Sequence, residues 1–102
     1  MTTTNVKDER GNSMIGKQLQ YIRQALNLSQ NEMAYALDLT LITVWRIETG
    51  RQKPLPKTIR HIQEVLCYDE EDLIEINELL AESENSRRHA RLKKKLREQA
   101  NL

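Results

Sequence analysis

The sequence predicts an all-α fold, a compact bundle of four to five short helices followed by a charged C-terminal extension. Three observations point there. Apolar residues recur at helical spacing, as at Ile15, Leu19, Ile22 and Leu26. Helix-start signals precede such stripes, with Ser29 three residues before Glu32 and an acidic run at Asp69-Glu70-Glu71-Asp72. Gly50 and Pro56 then stand where one helix should stop and another begin.

Composition narrows the class. A chain of 102 residues is one small domain plus appendages. With no Phe, one Trp and 38% hydrophobic residues, its core must be compact and aliphatic. No apolar run approaches the ~20 residues of a membrane span, and no signal-peptide apolar region follows Met1. The expected setting is therefore cytoplasmic, with no membrane partner. The single cysteine, Cys67, excludes a disulfide within the chain and cannot hold a metal cluster alone. It is expected to be a small buried apolar residue rather than a redox switch.

The net charge of +1 hides strong segregation. Residues 1–68 carry nine Lys/Arg and six Asp/Glu, residues 69–84 carry eight Asp/Glu and no Lys/Arg, and residues 85–102 carry seven Lys/Arg and one Glu. This basic–acidic–basic layout bears on partners more than the total does.

Residues 1–13 are polar and too poor in apolar side chains to offset their ordering entropy, which predicts a flexible tail. Residues 14–68 form the predicted main domain. Its first helix runs from Ile15 to Leu26 on the stripe given above. A second starts at Gln30, capped by the Ser29–Glu32 box, with Met33, Ala34 and Leu37 on one face. The apolar phase breaks at Asp38-Leu39-Thr40, where Asp tolerates a left-handed conformation. Thr40 can cap a third helix, on which Val44 and Ile47 share a face. Small Ala34 suits the close approach of two helices crossing near a right angle. Two short helices joined by such a turn have the anatomy of a helix-turn-helix.

Gly50 suits a left-handed stop, Arg51-Gln52-Lys53 is a short basic loop, and Pro56 can open a fourth helix reaching about Cys67. That helix is expected to bury Leu55, Ile59, Ile62 and Leu66. Residues 69–84 predict an acidic amphipathic fifth helix with Leu73, Ile76 and Leu80 as its stripe, Leu79 alongside and Ile74 off it. The stripe either forms a dimer contact or completes the monomer core. In residues 85–102 only Leu92 and Leu96 make an i, i+4 apolar pair, too narrow for an independent helix, so a frayed or partner-stabilised helix is expected.

The segments Leu28-Ser29-Gln30-x-Glu32-x-Ala34, Thr43-Val44-x-Arg46-Ile47-Glu48-x-Gly50 and Lys53-Pro54 resemble the lambda-repressor-like (Xre/Cro) helix-turn-helix family of phage and bacterial repressors. The resemblance covers Ile15 to Leu66, about half the chain. It implies a structural ion pair, Arg23–Glu48, tying the first helix to the end of the third; the alternative is two uncoupled charges. It also implies a double-stranded DNA partner, met as a homodimer. Gln30 would reach a phosphate or brace the third helix, and Arg51 and Lys53 would hold the neighbouring strand, with Lys17 an accessory contact.

Base reading would fall to the exposed face from Thr40 to Arg46, with DNA contacts expected from Thr40, Leu41, Ile42, Thr43, Trp45 and Arg46; by the same resemblance Leu41, Ile42 and Arg46 are the outward positions. Arg46 suits a guanine edge. Leu41 and Ile42 depart from the family's usual polar choices. Either they meet thymine methyls, or this surface binds a protein. Trp45 is off the Val44/Ile47 face and either packs on the sugar–phosphate chain or is a half-buried structural residue. Arg87, Arg88, Arg91, Lys93, Lys94, Lys95 and Arg97 could add phosphate contacts, pair with the acidic segment, or simply stay solvated.

An enzyme is not expected. His61 and His89 lack metal-ligand spacing, the acidic block lacks a calcium-loop pattern, and no Gly-rich phosphate loop or serine elbow is present, so no catalytic residue, cofactor or metal is assigned. The function expected is a transcriptional repressor bound as a dimer to a pseudo-palindromic operator. The alternative is a protein-interaction module, an antitoxin or adapter, on the same fold.

Overall fold

In a computed structural model the described residues are 15–82, 85–100 and 102. The expected N-terminal tail, 1–13, lies outside them. The described residues are all helical apart from turns and connecting segments, in the order α1 (residues 15–25), α2 (Gln30–Leu37), α3 (Leu41–Glu48), α4 (Pro56–Leu66), α5 (Glu70–Ala81) and α6 (Ser86–Gln99). None is long and apolar enough to cross a membrane.

Local chemistry sets the boundaries. Ser29 Oγ accepts from the Glu32 backbone N–H at 3.0 Å, and the Glu32 carboxylate takes the Ser29 N–H at 2.8 Å, the reciprocal box that satisfies two helix-start donors. Thr40 Oγ1 caps α3 through the Thr43 N–H at 3.1 Å. Asp69 and Asp72 form a second capping box at α5. Three chain reversals share one device. Asn27 (φ 58°), Asp38 (φ 57°) and Gly50 (φ 80°) adopt the left-handed conformation after α1, α2 and α3. At each, paired N–H groups return to the last turn: Asn27 to Gln24 O and Leu28 to Arg23 O, Asp38 to Tyr35 O and Leu39 to Ala34 O, Gly50 to Ile47 O and Arg51 to Arg46 O.

One core joins all six helices: Leu19, Ile22 and Ala25 of α1, Met33 and Leu37 of α2, Val44 and Ile47 of α3, Ile62 and Leu66 of α4, Ile76 and Leu79 of α5, and Leu92 and Leu96 of α6. The expected division at residues 68 and 84 therefore marks changes of charge, not of packing.

Several expectations are corrected. Leu55 is 68% exposed, while Pro54 is buried instead. Leu55 has extended backbone (φ −69°, ψ 155°), in which neighbouring side chains face opposite ways, so burying Pro54 turns Leu55 outward. Cys67 is exposed, not buried, because it is the left-handed residue that ends α4 (φ 57°). On α5 the fully buried residues are Asp72, Ile76 and Leu79, with Leu73 partly buried against the core; of the expected stripe, Leu80 alone turns outward. Ile76 is fully buried within the single chain and Leu73 packs on its core, so neither is open to a second copy; Leu80 is exposed.

Residues 86–99 form the longest of the helices bounded by described residues, not a frayed tail. Two leucines suffice because polar contacts flank them. Arg88 pairs with Glu78 at 2.9 Å and Glu75 at 3.4 Å, and Lys95 pairs with the fully buried Asp72 at 2.9 Å. Gln99 Nε2 donates to Asp72 Oδ2 (3.0 Å), and Arg97 Nη1 to Ala25 O at the end of α1 (3.0 Å). The acidic and basic segments thus meet within one chain.

Candidate functional site

Glu48 closes the last turn of α3 and is the point at which three helices meet. Its side chain is 2% exposed. Arg23 of α1 donates from Nε to Oε2 at 2.7 Å and from Nη2 to Oε1 at 3.2 Å. Gln30 of α2 donates from Nε2 to the same Oε1 at 3.0 Å. Arg23 Nη1 reaches Leu28 O at 2.9 Å, which fixes the guanidinium plane against the α1–α2 turn. A planar fork on a carboxylate defines orientation as well as distance.

Gly16 brings α1 close to the same place. A Cβ there would stand 2.7 Å from Glu48 O and closer still to Ile47 O. Only glycine allows this approach of α1 to the α3 terminus. Nothing in the periodicity marks Gly16, since its role depends on a helix thirty residues downstream in the chain.

With Val44, Ile47 and Glu48 turned inward, the opposite face of α3 is open. Leu41, Ile42 and Trp45 are 48%, 50% and 37% exposed, and Arg46 is exposed beside them. Thr40 and Thr43 close the N-terminal end through a 2.8 Å hydroxyl–hydroxyl bond, leaving Thr40 exposed and Thr43 half-buried. At the other end the Gly50 reversal returns the chain, and the Arg51 guanidinium lies over the Trp45 ring at 4.7 Å from its centroid. Such a stack holds a cation beside the face while its N–H groups still point outward. Trp45 is therefore partly covered by its own chain, and Lys53 is exposed just beyond.

The sequence-assigned residues Gln30, Thr40, Leu41, Ile42, Thr43, Trp45, Arg46, Arg51 and Lys53 all fall on α2, on α3 and its N-cap, or in the loop that follows. Lys17 is exposed on α1, in a cleft of about 410 Å³ with Tyr21, Asn77 and Leu80. The seven cations of α6 are sorted differently. Arg88 and Lys95 are engaged by α5 carboxylates, Arg97 by a carbonyl, and Lys93 lies 5.3 Å from the Tyr21 ring centroid. Arg87, Arg91 and Lys94 remain exposed.

Two residues not foreseen from the sequence shape the surroundings. Tyr21 is buried and its hydroxyl meets His89 Nδ1 at 2.7 Å, joining α1 to α6. Burial, with the Glu75 charge adding and Arg88 opposing, pushes its phenol up to about 12. Tyr35 of α2 is almost fully exposed. His61 is exposed, with its Nε2 3.0 Å from Leu37 O. Among the described residues no group of three His, Cys, Asp or Glu could hold a metal ion. No protein-family model, curated protein or solved structure matches the chain.

Proposed function

We propose that this chain is a sequence-specific double-stranded-DNA-binding regulator of the helix-turn-helix type, with α2 across the backbone and α3 in the major groove. The observation that carries the reading is Glu48. A carboxylate buried under Arg23 and Gln30 fixes the roll of α3 about its own axis, so Leu41, Ile42, Trp45 and Arg46 are presented as a set.

The roles follow from chemistry. Arg46 is the one long donor on the open face and suits guanine O6 and N7, worth about 1–3 kcal/mol of discrimination if bidentate. Leu41 and Ile42 can contact only thymine methyls, which implies a T-rich element in the site. Gln30 Nε2 carries two hydrogens; one goes to Glu48, which leaves the other for a phosphate. Arg51 and Lys53 supply affinity without sequence choice. Repression by a dimer on a pseudo-palindrome, with half-sites about 34 Å apart, is the economical use of so small a reader. With Ile76 inside the core, the two copies would meet through other surfaces.

The second reading, a protein-docking module, is favoured by the adjacency of three exposed apolar side chains, Leu41, Ile42 and Trp45. Paired variants separate the two. Under the DNA reading, Arg46→Ala relaxes base preference at one position, while Lys53→Ala weakens all duplexes and lowers the salt slope by about 1. Indifference of duplex binding to both substitutions removes the DNA reading.

A further inference from the structure

We infer that the outer face of α6 is a second phosphate-binding surface, one that holds the backbone of duplex DNA without reading its sequence. The helix divides its cations by direction. At 100° per residue, Leu92 and Leu96 define the buried side. Arg88, Lys95 and Gln99 flank it toward α5, where they meet Glu78, Asp72 and Asp72 respectively. His89, Lys93 and Arg97 flank it toward α1, where they meet the Tyr21 hydroxyl, the Tyr21 ring and Ala25 O. Arg87, Arg91 and Lys94 occupy the remaining side at i, i+4 and i+7, opposite the leucines, and all three are exposed.

These three side chains have no ion-pair or hydrogen-bonding partner of their own among the described residues. The contacts that seat α6 are already complete without them, so packing does not account for their charge. From Arg87 to Lys94 the stripe runs about 10 Å along the helix, at about 1.5 Å per residue. Three long, flexible side chains spread over that length can each reach a phosphate of one DNA strand, whose charges recur about every 3.4 Å along the duplex axis. Glu98 alone interrupts the face, one turn beyond Lys94. The α6 contacts run to α1, α5 and Cys67 O, so this surface is separate from the open face of α3 and does not rest on the reading of that face.

The test is the binding of a short fluorescent duplex of random sequence to the full-length chain across a salt series. The variants are Arg87→Gln/Arg91→Gln/Lys94→Gln and the charge-keeping Arg87→Lys/Arg91→Lys. The neutral variant should melt with the wild type and lose about 2.7 from the slope of log affinity against log salt, at about 0.9 per phosphate. Between about 50 and 200 mM salt the wild type should therefore lose about 40-fold more affinity than the neutral variant does. The charge-keeping variant should retain the wild-type slope. The same difference should persist with Arg46→Ala/Lys53→Ala in the background, which separates this surface from α3. Equal slopes for wild type and neutral variant would overturn the inference. So would loss of slope in the charge-keeping variant, or tighter capture by phosphatidylserine vesicles than by the duplex at matched salt through the same three residues.

Discussion

Arg23 and Glu48, 25 residues apart, form a two-point ion pair in which Glu48 is almost entirely withdrawn from solvent. The pair joins the last turn of α1 to the last turn of α3, and Gln30 completes it from α2. Removing one partner leaves a buried carboxylate without its cation, a far larger loss than that of a surface pair. Arg23→Ala should cost on the order of 3 kcal/mol in urea unfolding. Arg23→Ala and Glu48→Gln together should cost less than the sum of the two. Additive losses would mean that the pair is not coupled.

Gly16 makes a second, purely steric demand at the same corner. Gly16→Ala places a methyl group against Ile47 O and Glu48 O, backbone atoms that cannot rotate away. Its higher helix propensity should be outweighed by overpacking of about 1–3 kcal/mol. A rise in melting temperature would show that α1 and α3 have room to separate.

Asp72 gives the α5–α6 contact an acid limit. Burial alone would raise its carboxyl, but hydrogen bonds from Gln99, Lys95 and the Asp69 N–H, with the Lys95 charge, outweigh that and hold it below the ordinary value. A folded value below the unfolded one adds stability that is full above the unfolded pKa, about 3.9, and is lost as pH falls through the folded value. Asp72→Asn should lower stability at pH 7 by about 1.5 kcal/mol and flatten the decline below about pH 4. Urea midpoints from neutral to strongly acidic pH measure both.

The alkaline limit comes from phenols. Tyr21 and Tyr68 both titrate at about 12 rather than 10.0, chiefly because burial disfavours their ionised forms. Here the folded value is the higher, so the contribution is complete below pH 10 and disappears as pH rises through about 12. Tyr21→Phe should cost roughly 0.5–1.5 kcal/mol at pH 7 through the lost His89 bond. Together with Tyr68→Phe, it should remove most of the fall in melting temperature between pH 10 and 12. Alkaline melting unchanged in the double variant would place the loss elsewhere.

What the sequence made legible was local. Ser29–Glu32, Asp38, Thr40 and Gly50 act within a turn or two of themselves, and each does what its chemistry predicts. The burial of Val44 and Ile47 followed from spacing, whereas the outward placement of Leu41, Ile42 and Arg46 came from the resemblance. Arg23–Glu48 came from a resemblance and not from spacing, because its partners lie on different helices. The errors concern residues whose environment is set at a distance. Asp72 can be buried only because Lys95 and Gln99 arrive from α6, and that rotates α5 away from its most hydrophobic stripe. The two leucines of α6 are too few when counted alone; the pairing of Arg88 and Lys95 with the acidic segment, one of the alternatives the charge pattern leaves open, seats the helix together with the Arg97 bond to Ala25 O. Tyr21 and Gly16 carry no pattern of their own.

The most direct test of the proposed function is the selection of genomic duplex fragments by the full-length chain, repeated as salt is raised to about 150 mM. The account predicts recovery of an inverted repeat that persists at that salt, with guanine opposite Arg46, thymines beside Leu41 and Ile42, and half-site centres one helical turn apart. It also predicts that Arg46→Ala loses the guanine preference alone. Fragments without a common motif, retained only at low salt and unchanged by Arg46→Ala, would contradict it.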